Sequence, residues 1–564
     1  MWVGVIVGVV YLLTQHSRVG TSPEPSSSPA GIPMSEGAAG QKTERLPVLS
    51  DSALPPPGSA VEVELVEPPT QEYGSAPMTE SDLAYQAVVR GLERRDVVYD
   101  ANLGAAAREL AVQHSLLGGL VPQHIVDFLL RSSGAIDRSV VQAYQATAGD
   151  GMDAVEKRIR SLLSSHTEKS PVTRVGIGEA YIPGGKRPRH IAILLSFREV
   201  EISAALRSVP PGARWTLTGV LPPNFEEASA LILRPSGVLE TVPLTTEGRR
   251  FALSVEAGEE KGTLHVSVGA EGPYGHTPLL QVPVEVGRGV PRVLVSALLP
   301  DETDIEDADE AERLAMEVLN ADRQRYGLSL LIRDTRLDQV ARQHSVDMRE
   351  HSFFGHYSPE SGTPGDRLSN AAYRTGQYAE NVAKGPSIHG AQSGLMHSLG
   401  HRRNILNKRL THVGIGVAGQ RKDKQTVWWL TQVFAVPVQR VTSADGRETL
   451  LQRIQSLRAR AGEEPLVRDD ALDTVARQGV KELAAGGSKG IPERLVADAR
   501  KRFPRQGRLF VWAASTSDME TLTLPSQLFA SATSRLGIAV HQYPDHPHGL
   551  IGVVLVTLDD GGNE

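Results

Sequence analysis

The stretch Leu331-Ile332-Arg333-Asp334-Thr335-Arg336-Leu337-Asp338-Gln339-Val340-Ala341-Arg342-Gln343 returns later in the chain as Leu466-Val467-Arg468-Asp469-Asp470-Ala471-Leu472-Asp473-Thr474-Val475-Ala476-Arg477-Gln478. A second piece returns in the same order, because Leu536-Gly537-Ile538-Ala539-Val540 parallels Val413-Gly414-Ile415-Gly416-Val417. A period this long marks duplicated domains rather than a solenoid of short repeats. The same plan is legible nearer the N-terminus, with Leu103 standing for Leu337 and Val175-Gly176-Ile177-Gly178 for Val413 to Gly416. A chain of 564 residues is in any case too long for one core.

Composition excludes more than it assigns. A net charge of -7 gives no general pull toward nucleic acid, and no basic run changes that. The absence of cysteine rules out disulfides, thiolate metal sites and a thiol nucleophile. Trp2 to Leu13 is an apolar or glycine run, short for a membrane span and suited to a signal-peptide core. Residues 1–16 are therefore read as a signal peptide or short anchor. That predicts an extracytoplasmic protein (secreted, periplasmic or membrane-anchored) that touches membrane only through its N-terminus. Residues 17–79 are rich in Pro, Ser, Gly and Glu and predict a disordered linker.

Four folded regions are expected beyond it. In residues 80–205, Leu103, Ala106, Ala107, Leu110, Ala111 and His114 mark one helix face, and His190 to Leu195 reads as a buried strand. Residues 206–290 carry short β-rich runs between Pro and Gly turns, which fits an immunoglobulin-like β-sandwich. In residues 305–437, Leu314, Val318 and Ala321 mark one helix and Leu337, Val340, Ala341, His344 and Met348 a second, capped by Asp334. A helix around Ala391 to Ile405 and two strands complete that region. Residues 445–560 repeat the order.

The third region carries Gly355-His356-Tyr357-Ser358-Pro359, Asp366-Arg367-Leu368, Ala379-Glu380-Asn381 and Gly400-His401-Arg402-Arg403-Asn404, with Thr431-Gln432 on the last strand. These pieces resemble the signatures of the CAP superfamily (cysteine-rich secretory, antigen 5 and pathogenesis-related-1 proteins) in its bacterial, cysteine-free form. The resemblance implies an α+β multidomain chain: a central CAP α-β-α sandwich, two degenerate CAP-like copies and one β-sandwich. It also implies a cleft containing His356, Glu380 and His401. Ser358, Asp366, Arg367, Asn381, Arg402, Asn404 and Gln432 would support it by bonding loops, capping turns and bracing ion pairs.

Departures from the family pattern narrow that expectation. Ala379 stands where the family has Gly, Leu395 where Trp is usual, Ser398 for a Glu and Trp429 for a His. His401, three residues beyond Ser398 and expected on the same helix face, would replace the missing ligand. The resulting set of His356, Glu380 and His401 suits one divalent ion such as zinc, or general acid–base work on a substrate. The expected function is binding of a lipid, peptide or glycan of the envelope. The alternatives are a metal-assisted hydrolase and a structural adhesin. Alignment of the copies puts Val511 and Trp512, and in the N-terminal copy Tyr144, at the Glu380-Asn381 place, predicting loss of the polar set and one competent cleft per chain. Gly414 to Gly419 spells G-x-G-x-x-G without the helix a dinucleotide site needs next, and Gly486 to Gly490 spells G-x-S-x-G after a helix rather than a strand. Both are read as structural.

Overall fold

The protein is described by a computed structural model. It covers residues 42–47, 60–92, 96–117, 121–137, 140–149, 151–166, 173–184, 186–198, 200–297, 300, 302, 305–422, 425–437, 442–484, 491–503, 507–516, 519, 522–543 and 551–559. The apolar run Trp2 to Leu13 and the Gly486 to Gly490 stretch lie outside these. Among the described residues no helix is long and apolar enough to cross a membrane. The helices are α1 (Glu80–Arg90), α2 (Ala101–Leu117), α3 (Gln123–Ser132), α4 (Met152–His166), α5 (Ala308–Arg325), α6 (Thr335–Glu350), α7 (Pro364–Asn370), α8 (Ile388–His397), α9 (Leu399–Ile405), α10 (Ser443–Ala461), α11 (Asp470–Ala484) and α12 (Ile491–Arg502). With the sheets they make a mixed α/β chain. It divides into two compact units: residues 1–367 with 379–434, and residues 368–378 with 435–564.

Three four-stranded sheets share one order. Each has a two-residue edge strand (Val98–Tyr99, Ile332–Arg333, Val467–Arg468), the two strands of a hairpin, and on the far side a strand from the middle of the segment. The edge strand pairs parallel with the first hairpin strand in all three. An aspartate then caps the helix that crosses the sheet. Asp334 accepts from Arg336 and Leu337 N–H at 2.8 and 3.2 Å, Asp469 from Ala471 and Leu472 at 2.8 and 3.1 Å, and Asp100 from Leu103 at 3.0 Å.

The glycines of the first hairpin strand explain the G-x-G spelling. A Cβ on Gly176, Gly414 or Gly537 would lie 2.0–2.2 Å from the backbone of Leu103, Leu337 or Leu472. One on Gly178 or Gly416 would lie 2.0 Å from the N–H of Arg108 or Arg342. The helix sits directly on the strand, and only a residue without a side chain leaves room.

The central and C-terminal segments also share their braces. Asp338 accepts from the Ile415 N–H and Asp473 from the Ile538 N–H, each at 2.8 Å. Asn320 closes a two-bond ring with the Leu331 backbone, and Gln455 does so with Leu466. Arg323, 1% exposed, donates to the carbonyls of Ile405, Asn407 and Ser329; Arg458, also 1% exposed, donates to those of Leu528, Ala530 and Glu464. Carbonyls that would otherwise be buried without a donor thus find one guanidinium.

Between the first two segments stand a six-stranded and a four-stranded sheet. The first runs Lys42–Arg45, Val238–Pro243, Glu226–Leu233, Gly262–Gly272, Gly275–Val286, Ser208–Val209; the second runs Thr245–Glu247, Arg250–Glu256, Arg214–Val220, Glu201–Ile202. Leu217, Phe251 and Leu253 of the second pack with Ile232, Val266 and Val282 of the first in one core.

Two expectations are corrected here. Residues 17–79 are not linker throughout. Lys42–Arg45 pairs with Val238–Pro243, Ala60–Glu64 with Val293–Ala297, and Glu72–Tyr73 with Ala205–Leu206, while Val63 and Tyr73 are buried. Too apolar-poor to make a core, these pieces use free strand edges and cores supplied from far along the chain. Nor is Ala391 to Ile405 one helix. Ser398 is extended (φ -87°, ψ 119°) between α8 and α9, so it does not share a helix face with His401.

Candidate functional site

Glu380 is the centre of the site. It sits on the strand Thr375–Gly385, an edge of the central sheet, with its side chain 2% exposed. Arg367, from α7, donates to its Oε2 at 2.6 Å. The same guanidinium holds the Gly362 and His356 carbonyls, fixing the loop that carries His356. His356 Nδ1 lies 3.0 Å from Glu380 Oε1, and His344 Nε2 3.8 Å from that oxygen. Burial alone would raise the pKa of the carboxyl. The His344 imidazole, the Arg367 guanidinium and the bond from His356 outweigh it and hold Glu380 down at about 2. An ionised carboxylate only accepts, so His356 Nδ1 is the donor and its other nitrogen, Nε2, is the one left to face a ligand.

The periodicity of α6 places His344 on a core helix face. It is fully buried there, yet it belongs to this network. Its Nε2–H donates to the Gly355 carbonyl at 2.9 Å, and burial lowers its pKa. Gly355 is where the neighbouring hairpin arrives. Tyr274, in the turn between Gly262–Gly272 and Gly275–Val286, accepts on its carbonyl from the His356 and Tyr357 N–H groups at 2.9 and 3.0 Å. Its ring stacks on Phe353 at 5.6 Å. A Cβ on Gly355 would lie 2.6 Å from the Tyr274 carbonyl oxygen, so this approach requires glycine.

His401, on α9, is 8% exposed, with its ring centroid 5.9 Å from that of His356. Its position is set through its backbone, whose carbonyl accepts from Asn381 Nδ2 at 3.3 Å. Asn381 belongs to a one-way run of amides. Asn404 donates to Asn381 (3.0 Å), Asn381 to Gln432 (3.1 Å), Gln432 to Gln392 (2.8 Å), and Gln392 to the Asp322 carboxylate (2.8 Å). It ties α9, two strands, α8 and α5 together beneath the imidazoles. Ser358, 1% exposed, donates to Asp347 at 2.5 Å and accepts from the Glu360 and Ser361 N–H groups. Asp366 makes a cap with Thr363 rather than an ion pair. Arg402 points elsewhere, donating to the Tyr326 hydroxyl at 2.9 Å.

The structure thus brings His356, Glu380 and His401 together, but not as a ligand sphere. Both Glu380 oxygens are committed, one to a guanidinium that repels a cation, and among the described residues no group of three or more His, Asp or Glu side chains is arranged to hold a metal. The donor set does not fit zinc through Glu380. Glu380 instead orients His356, as a carboxylate orients the imidazole of a base. In the C-terminal segment Val511 is buried and apolar. The N-terminal segment is not apolar at this place. Tyr144 stacks on His114 at 3.9 Å, and its hydroxyl lies 2.6 Å from His190 Nδ1. Sequence reasoning missed His344, hidden by its helix-face spacing, and Tyr274, for which no local signal exists.

Residues 316–434 match the family model described as CAP, the cysteine-rich secretory protein family. The uncharacterized protein YkwD of Bacillus subtilis (strain 168) is 39% identical over 124 residues, 22% of this chain and 46% of that protein. The uncharacterized membrane protein YlbC of the same organism is 36% identical over 111 residues, 19% of this chain and 31% of that protein. The chain therefore spans less than half the length of either. Similar solved structures include an extracellular protein containing an SCP domain from Bacillus anthracis str. Ames (18% identity, TM-score 0.22, covering 53% of this chain and 81% of that one). Another is an outer surface protein from Borrelia burgdorferi (17% identity, TM-score 0.21, covering 23% of this chain and 96% of that one).

Proposed function

Residues 316–434 match the CAP family model, and we propose that the chain is exported to the cell envelope and that its central domain binds a polar ligand there, a glycan or peptide, through His356 and His401. The observation that carries this reading is the clamp on Glu380. A general acid or base works best with a pKa near the operating pH, and a carboxyl held at about 2 by Arg367 and two imidazoles is tuned for permanent charge. Its work is to fix His356, whose side chain is 23% exposed beside the 45%-exposed Tyr357. An exposed imidazole and an exposed tyrosine on one loop suit a ligand with hydrogen-bonding groups and flat faces. The segments on either side are degenerate CAP-like copies, and with the two-sheet region they serve as scaffold. The Trp2 to Leu13 run provides the export signal or anchor, in keeping with a relative named as a membrane protein.

One observation favours a second reading, hydrolysis. The Glu380–His356 pair has the carboxylate–imidazole form of a general base and its orienting group. The test is a binding panel on the full chain (peptidoglycan sacculi, envelope peptides, lipid vesicles), with turnover and metal content measured on the same samples. Saturable retention on sacculi or peptides, lost in His356→Ala, with no product formed, supports the binding module. Turnover abolished by His356→Ala selects the hydrolase, and stoichiometric zinc would restore a metal role. Retention unchanged in His356→Ala removes the site from the function and leaves a structural adhesin.

A further inference from the structure

The helix that carries His401, α9, starts without a cap of its own. Ser398 stands at its N-cap position, but among the described residues its side chain accepts nothing from the helix. The first turn also contains Gly400, where an added Cβ would meet nothing within 4 Å, so this glycine loosens the turn without being required for space. A helix start leaves N–H groups without partners, and a helix end leaves carbonyls in the same state. Both gaps fall here on either side of one extended residue, because α8 stops at His397 and α9 begins at Leu399.

Gln281 fills both gaps from another sheet. It lies on the strand Gly275–Val286, where its Oε1 accepts from the Leu399 N–H at 3.1 Å and its Nε2 donates to the His397 carbonyl. An N–H only donates and a carbonyl only accepts, so a single orientation of the amide serves both helix ends. Leu399 itself packs with Leu233 and Leu239 of the six-stranded sheet and with Leu46. The rest of α9 is held from within the central region, by Asn381 on the His401 carbonyl and by Arg323 on that of Ile405. Its first turn, in which His401 lies, takes its cap from Gln281.

The turn that opens this same strand supplies the Tyr274 carbonyl, which receives the His356 and Tyr357 N–H groups. The two-sheet region thus touches both segments that carry imidazoles, whose ring centroids are 5.9 Å apart. We propose that Gln281 is a positioning residue for the His356–His401 site: by capping α8 and α9 across Ser398 it fixes the His401 imidazole opposite His356. With the Tyr274 turn, it makes the spacing of the two imidazoles a property of the two-sheet region. The proposal deepens the binding reading of that site and rests on it for its purpose, although not for its geometry.

The test is Gln281→Met in the full chain, a side chain of similar length without either hydrogen-bonding group. Diethyl pyrocarbonate labelling with peptide mass spectrometry reads the imidazoles one at a time. His401 labels about fivefold faster than in the parent, the size of one lost helix cap. His356, held by Glu380 and the Tyr274 carbonyl, labels at the parent rate, and the melting curve stays that of the parent. Adding Gly400→Ala brings the His401 rate back, because alanine strengthens the same turn by another route. Retention on peptidoglycan sacculi falls in Gln281→Met and returns in the double variant. An unchanged His401 rate, a rise shared by His344 and His356, or no rescue by Gly400→Ala overturns the proposal. So does retention unaffected by Gln281→Met in a chain whose retention His356→Ala abolishes. A parent chain that retains no sacculi counts against the binding reading alone, and the labelling rates still decide what Gln281 holds.

Discussion

Glu380→Gln tests the heart of the site, and its size follows from the geometry. The carboxyl titrates at 4.5 in an unconstrained chain and at about 2 in the fold. At about 1.4 kcal/mol per pKa unit, the ionised form contributes on the order of 3 kcal/mol. Because the folded pKa is the lower one, that contribution is fully present above pH 4.5 and drains away as pH falls toward about 2. The glutamine cannot replace it. One of its ends is an NH₂ group that must face Arg367 or His356, both donors, and breaking a buried pair on one side costs about 3–5 kcal/mol. Urea unfolding followed by pulsed hydrogen exchange and mass spectrometry, read on peptides from residues 375–385 and 425–437, isolates this domain from the rest of the chain. With a urea slope of about 2 kcal/mol/M, the variant's midpoint at pH 7 falls by about 1.5 M. Between pH 4.5 and 3 the wild-type midpoint drops while the variant's stays nearly flat. A variant as stable as wild type at pH 7, or one that keeps the wild-type acid slope, refutes the clamp.

Other perturbations bear on other links. Gly414→Ala puts a Cβ 2.0 Å from the Leu337 backbone and lowers stability by about 1–3 kcal/mol or more, read as a fall in the melting temperature of the full chain. Gln432→Leu leaves Asn381 Nδ2 and Gln392 Oε1 without their amide partner, at about 1–3 kcal/mol each; hydrogen exchange of residues 399–405 rises accordingly. Gly355→Ala pushes on the Tyr274 backbone and opens the 272–275 turn to limited proteolysis, with α6 protection unchanged.

The repeats were legible because their spacing is local. A capping aspartate, a leucine three residues on and a glycine-bearing strand recur in order, and each reads out a close helix–strand contact. His356 and Glu380 were legible through their motifs. Arg207, Tyr274 and the strands at 42–45 and 60–64 were not, because their partners lie far along the chain and nothing in their own neighbourhoods encodes the pairing. The amide run from Asn404 to Asp322 was half legible. Its asparagines fell in motifs, whereas Gln392 stood in a helix with no marker.

The Tyr274 carbonyl that receives the His356 and Tyr357 N–H groups comes from outside the stretch that defines the family. Excising residues 305–437 would cut that acceptor away, strip Phe353 of its stacking ring and free the His356 loop to reshape itself. The family module and the proposed recognition surface are then different objects. The geometry of the His356 loop is then open to change through a hairpin that lies outside residues 316–434.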